Sequence, residues 1–349
     1  MAMFRLHFET EADWPAPRYQ TRKSRLRLLI LGGIFLFLAL IAFILRLTSS
    51  QEEKLKAQLD ALYAVSQNVS VSAPQNTEID QFVTRAFSFE ESKRGNLILV
   101  NRANLYDFSA GAPDAVKLLD LTGEDYYVLD WTIAMTGESA HALETVLAEV
   151  KALGGKNFLL ADRALRSKEE QIDAYKTFYD YSAAEACPLP EESVMTVCVP
   201  GGSDYHTGLS VHLSLYGGGE ADSDEHYATL LDAMIRGGFI LRYPKEKEAV
   251  TRVTANAGQF RYVGKPHAAI MAANNWCLEE YHDHLLSLSS ENKGLLFEKD
   301  GKKYTVYRIA LSEEGNTDVP VPSGVSYSVS GDNRGGLIIT VYHDLVPAA

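Results

Sequence analysis

Pro200-Gly201-Gly202-Ser203-Asp204-Tyr205-His206-Thr207-Gly208-Leu209-Ser210-Val211-His212 is the stretch on which the reading of this 349-residue chain turns. Its polar groups include Ser203, Asp204, Tyr205, His206 and His212, and Asp222, Asp224 and His226 follow soon after. Upstream, Leu97 to Val100, Tyr126 to Leu129 and Asn157 to Ala161 read as strands, whereas Ala140 to Leu153 and Lys168 to Tyr181 carry helical spacing. Gly154-Gly155 closes the first of those helices. Downstream, Glu225 to Arg236 reads as a helix closed by Gly237-Gly238, and Ala268 to Leu285 as another. Tyr304 to Ile309, Val325 to Val329 and Leu337 to Tyr342 are β-branched and aromatic runs separated by turn clusters such as Ser330-Gly331-Asp332-Asn333. Such runs predict a small antiparallel sheet. With no internal repeat, the expected class is α+β, a mixed domain followed by a C-terminal β-meander.

Further out, Leu28 to Leu45 is apolar throughout. At about 1.5 Å per residue, a helix of that length crosses a hydrocarbon core of roughly 30 Å. Arg18, Arg22, Lys23, Arg25 and Arg27 crowd its N-terminal flank, which predicts a cytoplasmic N-terminus and an extracytoplasmic main domain. Residues 1–46 hold seven basic and three acidic side chains, a net of +4, which against −13 for the whole chain leaves −17 on the remainder. So acidic a domain argues against nucleic acid as a partner. The expected division is a basic tail over 1–27, a membrane helix over 28–48, a stalk over 49–90, the main domain over 91–290 and C-terminal strands over 291–349. Cys187 and Cys198 bracket Pro188 and Pro190 and lie close enough in sequence to be joined in an oxidising compartment, while Cys277 reads as a buried apolar residue.

Several segments between Gly95 and Tyr342 together resemble the VanY-type D-alanyl-D-alanine carboxypeptidases, zinc peptidases of the hedgehog/DD-peptidase fold that trim peptidoglycan stem peptides. Leu165-Arg166-Ser167 with Glu170-Gln171 parallels the family's Ser-Gly-Tyr-Arg-Ser followed by Glu-Gln, with Leu165 where the tyrosine usually stands. The Pro200 to His212 stretch parallels Pro-Gly-x-Ser-Glu-His-Gln-Thr-Gly-Leu-Ala-x-Asp. Gly238 to Pro244 with Lys247 and Thr251, Phe260 to Gly264, Leu278 to Tyr281 and Ser330 to Asn333 continue the series in order.

The resemblance implies a zinc held by a His, an Asp and a second His, with a Glu as the base that activates water. Residue by residue, those positions fall on Tyr205, His212, Gln259 and Asn256, so all four differ from the pattern. A phenol with an ordinary pKa of about 10 and two neutral amides are weak donors for zinc, and an amide cannot serve as a general base. No catalytic residue and no metal cofactor are therefore expected. Arg166, Ser203 and Gln171 remain as candidates for binding substrate, Arg166 through its fork of N–H donors. Arg242, Tyr243, Arg261 and Tyr262 read as scaffold.

The sequence thus predicts a membrane-anchored, catalytically inactive relative that binds a peptidoglycan stem peptide or a cell-envelope protein. Two alternatives accompany it. An active zinc D,D- or L,D-carboxypeptidase would need a rebuilt metal site drawing on His206 with His212, His226 or His267. A structural platform in an envelope complex would leave the cleft empty.

Overall fold

A computed structural model of the chain describes residues 79, 81–121, 125–153, 159–179, 193–290 and 293–343. The expected membrane helix over 28–48 lies outside them; among the described residues no helix is long and apolar enough to cross a membrane. Strand β1 (Phe82–Ser88) is the first element of the described residues and lies within the stretch assigned to the stalk. Then come β2 (Ala115–Lys117), β3 (Tyr127–Val128), β4 (Ala134–Thr136) and helix α1 (Gly137–Ala152). Next are β5 (Leu159–Arg163), α2 (Lys168–Tyr179), β6 (Ser210–Leu215), α3 (Tyr227–Gly237), β7 (Phe239–Tyr243) and β8 (Asn256–Tyr262). The remainder is α4 (Lys265–Asn274), α5 (Leu278–Ser290), β9 (Leu295–Lys299), β10 (Lys302–Ala310), β11 (Asn316–Pro322), β12 (Ser326–Gly331) and β13 (Gly336–Tyr342).

The central sheet has the order β3-β5-β6-β8-β7, parallel only between β3 and β5. Helix α1 buries Ala140, Leu143, Val146, Leu147 and Val150, one stripe at helical spacing, and packs against α3. Gly238 ends α3 in the left-handed region at φ 96°, where a Cβ would lie 2.8 Å from the Lys265 nitrogen, so only glycine turns the chain there into β7. The C-terminal strands form an antiparallel sheet of order β12-β13-β10-β9, while the intervening β11 leaves it to pair with β1. Phe297, Val306 and Ile338 of this sheet share one core with Ile270, Tyr281 and Leu285 of α4 and α5.

Two expectations are corrected. The apolar pattern from Ala268 to Leu285 is two helices, not one: Asn275 takes a left-handed φ of 52°, and Glu280 accepts a hydrogen bond from the Cys277 N–H to start α5 afresh. The pattern runs through the break because both helices face the same core. Leu97 to Val100 is buried, as an apolar run should be, but it is not a strand. Its carbonyls accept instead from side chains: Ile98 O from Arg261, Leu99 O from Asn333 and Val100 O from Arg242. Ser330 and the Asp332 carbonyl accept from the Leu97 and Leu99 N–H groups, so backbone satisfaction comes from guanidiniums and a turn rather than a ladder.

Candidate functional site

Asp204 anchors the site. Fully buried at the start of a 3-10 turn (Asp204–Thr207), its carboxylate ion-pairs with Arg261, lies 3.4 Å from Arg242 Nε and accepts from the Ser210 hydroxyl. Arg242 in turn forms a two-pronged pair with Glu279, at 2.9 and 2.7 Å. This buried network ties the turn to β6, β7, β8 and α5, and thereby fixes the position of Tyr205. The four scaffold residues of the sequence reading divide accordingly. Arg242 and Arg261 lie in the network, Tyr262 donates to Glu138, and Tyr243 reaches the cavity described next.

Beside Tyr205 opens a cavity of about 130 Å³, room for several waters or one small ligand fragment. Arg166, Gln171 and Ser203 line it, and so do Tyr205, Asn256 and Gln259 of the four altered positions. His212 is buried on the same sheet, in register with Gln259 across β6 and β8. The two strands approach so closely there that a Cβ on Gly258 would lie 2.3 Å from the Leu213 carbonyl oxygen, which explains a glycine between Asn256 and Gln259. Tyr205, Asn256 and Gln259, far apart in sequence, thus meet at one cavity.

Their chemistry is neutral or cationic. Burial pushes the Tyr205 phenol up against the opposing pull of Arg163 and Arg166, so it stays protonated; its hydroxyl is buried without a hydrogen-bond partner. Asn256 turns its Oδ1 back onto the Gly258 N–H. His212 donates from Nδ1 to Asp162 at 2.8 Å. Burial opposes ionisation of Asp162, but hydrogen bonds from His212 and Ser214 keep its carboxyl below the ordinary value. Among the described residues, the cavity lining contains two arginines, Arg163 and Arg166, and no carboxylate.

Arg166 donates to Gln171 Oε1 at 2.9 Å and lies over the Tyr205 ring at 5.2 Å. Gln171 also donates to the Cys198 carbonyl at 2.6 Å, so its amide braces Arg166 while it lines the cavity. Sequence reading missed Arg163. It reaches the cavity because β5 bulges between Ala161 and Arg163 opposite His212, and a bulge redirects side chains without a signature in residue type.

A rebuilt zinc site does not assemble. His206 donates from Nδ1 to the Arg166 carbonyl at 2.8 Å and accepts at Nε2 from the Gly201 N–H at 3.2 Å, which occupies both nitrogens in the scaffold. Both nitrogens of His267 are engaged as well, by Tyr281 and Thr340. His226 pairs with Asp224. No group of three His, Cys, Asp or Glu suited to a metal occurs among the described residues. One imidazole, a phenol and two amides do not fit a zinc ion, because a phenol and neutral amides are weak donors for it. Cys198 and Cys277 are buried free thiols, and Cys187 lies outside the described residues.

Comparison with known proteins gives a match of residues 132–265 to the VanY family, described as D-alanyl-D-alanine carboxypeptidase. A D-alanyl-D-alanine carboxypeptidase of Enterococcus faecium is 29% identical over 258 residues, covering 72% of this chain and 77% of the relative. The bifunctional D-Ala-D-Ala dipeptidase and carboxypeptidase VanXYC of Enterococcus gallinarum is 34% identical over 125 residues, 33% of this chain and 66% of that protein. Among solved structures, the D,D-dipeptidase VanXYg in complex with a D-Ala-D-Ala phosphinate analog superimposes with a TM-score of 0.62 at 25% identity, over 75% of this chain and all of that one.

Proposed function

We propose, from the premise that residues 132–265 form a VanY-family domain with D-alanyl-D-alanine carboxypeptidase relatives, that this protein binds cell-wall stem peptide without cutting it. The observation that carries the reading is the contrast inside one cavity. Arg166 is braced by Gln171 to receive a carboxylate, while the positions for metal and base carry a neutral phenol and two amides, with an imidazole hydrogen-bonded to Asp162 on the same sheet. Without a base, water keeps its proton; without a metal's charge, the scissile carbonyl is not polarised. What remains is recognition: a fork of N–H donors for a peptide terminus, in a recess that holds one small residue.

The basic flank and apolar run of the N-terminus support the further proposal that the domain is tethered to the membrane with its bulk outside the cytoplasm. The test uses the full chain in detergent micelles with N-acetyl-L-lysyl-D-alanyl-D-alanine. Expected are saturable binding, no release of D-alanine and no stoichiometric zinc by elemental analysis. Arg166→Leu should weaken binding roughly 10- to 100-fold, the worth of a charge-assisted pair. D-Alanine release abolished by a chelator would overturn the reading.

A further inference from the structure

Zinc peptidase chemistry needs a site that attracts a divalent cation, and this cavity has the opposite polarity. Its charged lining is Arg163 and Arg166, with no carboxylate among the described residues. No carboxylate among the described residues forms an ion pair with Arg166, whose described partner is the neutral Gln171. Arg163 donates through Nε to Asp162 at 3.2 Å, but Asp162 is shared with His212 and Ser214 and does not itself line the cavity. By the alignment given above, Arg163 stands at the first serine of the Ser-Gly-Tyr-Arg-Ser pattern, so a positive charge has been added where negative ones have gone.

The second observation is the Tyr205 hydroxyl. The residue is 6% exposed, it lines the cavity, and its oxygen has no hydrogen-bond partner. A buried hydroxyl left unmet is costly, and a phenol that lines the cavity with two guanidiniums is available to donate to an anion there.

We infer that Arg163, Arg166 and Tyr205 form an oxyanion site at the place where the family seats its metal, and that the group it receives is a carboxylate or a phosphate. The inference builds on the peptide-binding reading, since the free carboxylate of a peptide terminus is one such group, and inorganic phosphate is another source of the same chemistry.

Calorimetric titration of the full chain in micelles, at constant ionic strength, separates the possibilities. Sodium phosphate should bind and compete with N-acetyl-L-lysyl-D-alanyl-D-alanine, whereas the peptide C-terminal amide and zinc chloride should not bind. Arg163→Gln should weaken phosphate binding at least 10-fold. Tyr205→Phe should weaken it several-fold while leaving the melting temperature unchanged or higher, because the hydroxyl it removes has no partner in the ligand-free protein. Peptide binding with no phosphate binding, and no effect of Arg163→Gln, would sink the oxyanion site and leave the peptide reading intact. Phosphate binding that depends on Arg163 and Tyr205, with no peptide binding, would support the site and end the peptide reading. Zinc that binds and expels phosphate would overturn the inference outright.

Discussion

His206 is adjacent to Tyr205, where the sequence resemblance puts a ligand, yet its two nitrogens serve the backbone of Arg166 and Gly201. Proximity in sequence therefore says little about ligation; what decides is which acceptors the fold has already presented to the ring. Gln171, which lines the cavity, shows the same control by the fold, since its amide spans Arg166 and Cys198. Gln171→Leu preserves most of the volume but leaves the Cys198 carbonyl and the Arg166 guanidinium unmet. The expected loss is about 1–3 kcal/mol for each group, with weaker peptide binding, read by urea unfolding and calorimetry. Peptide affinity unchanged in that variant would show that Arg166 needs no brace.

Between elements, the Arg242–Glu279 pair couples β7 to α5, and Asp204 extends the coupling to the turn that carries Tyr205. A buried pair is a weak source of net stability, but breaking one side of it is severe because a charge is left without a partner. Glu279→Ala should cost about 3–5 kcal/mol in urea unfolding. The double variant Arg242→Met with Glu279→Leu should recover much of that loss while loosening the turn, and a double variant no more stable than the single would contradict this account. The interruption at Asn275 belongs to the same scale: a polar residue tolerant of the left-handed region resets the helix so that α4 and α5 each present an apolar face to one core.

At the scale of the whole molecule, stability should depend on acidity through buried histidines. Burial holds both His267 and His282 at about 3, against an ordinary value of 6.5. Between those limits the unfolded chain binds protons that the folded chain refuses, so folding stability falls as the pH falls from about 6.5 towards 3. The slope approaches about 1.4 kcal/mol per pH unit for each histidine. Asp162 and Glu279, both held below the ordinary carboxylate value despite burial, act in the same direction further down the acid range. Urea midpoints measured from pH 7 to pH 4.5 should show the decline, and His267→Gln should flatten it; equal slopes in the two proteins would refute the assignment.

The family, the α+β class, helices α1 to α3 and three of the C-terminal strands were legible in the residues themselves. Periodicity, turn residues and motif order are local properties, and local properties survive in a string of letters. Gathering Tyr205, Asn256 and Gln259 around one cavity required the β6–β8 register, and turning Arg163 towards them required a bulge. The sheath of guanidiniums over Leu97 to Val100 depended on partners more than a hundred residues away. Apolar pattern tells a segment to be buried, but the fold as a whole chooses which donors meet its backbone and which charges face a cavity, because hydrogen bonding and Coulomb energy depend on distances that only the packed chain defines.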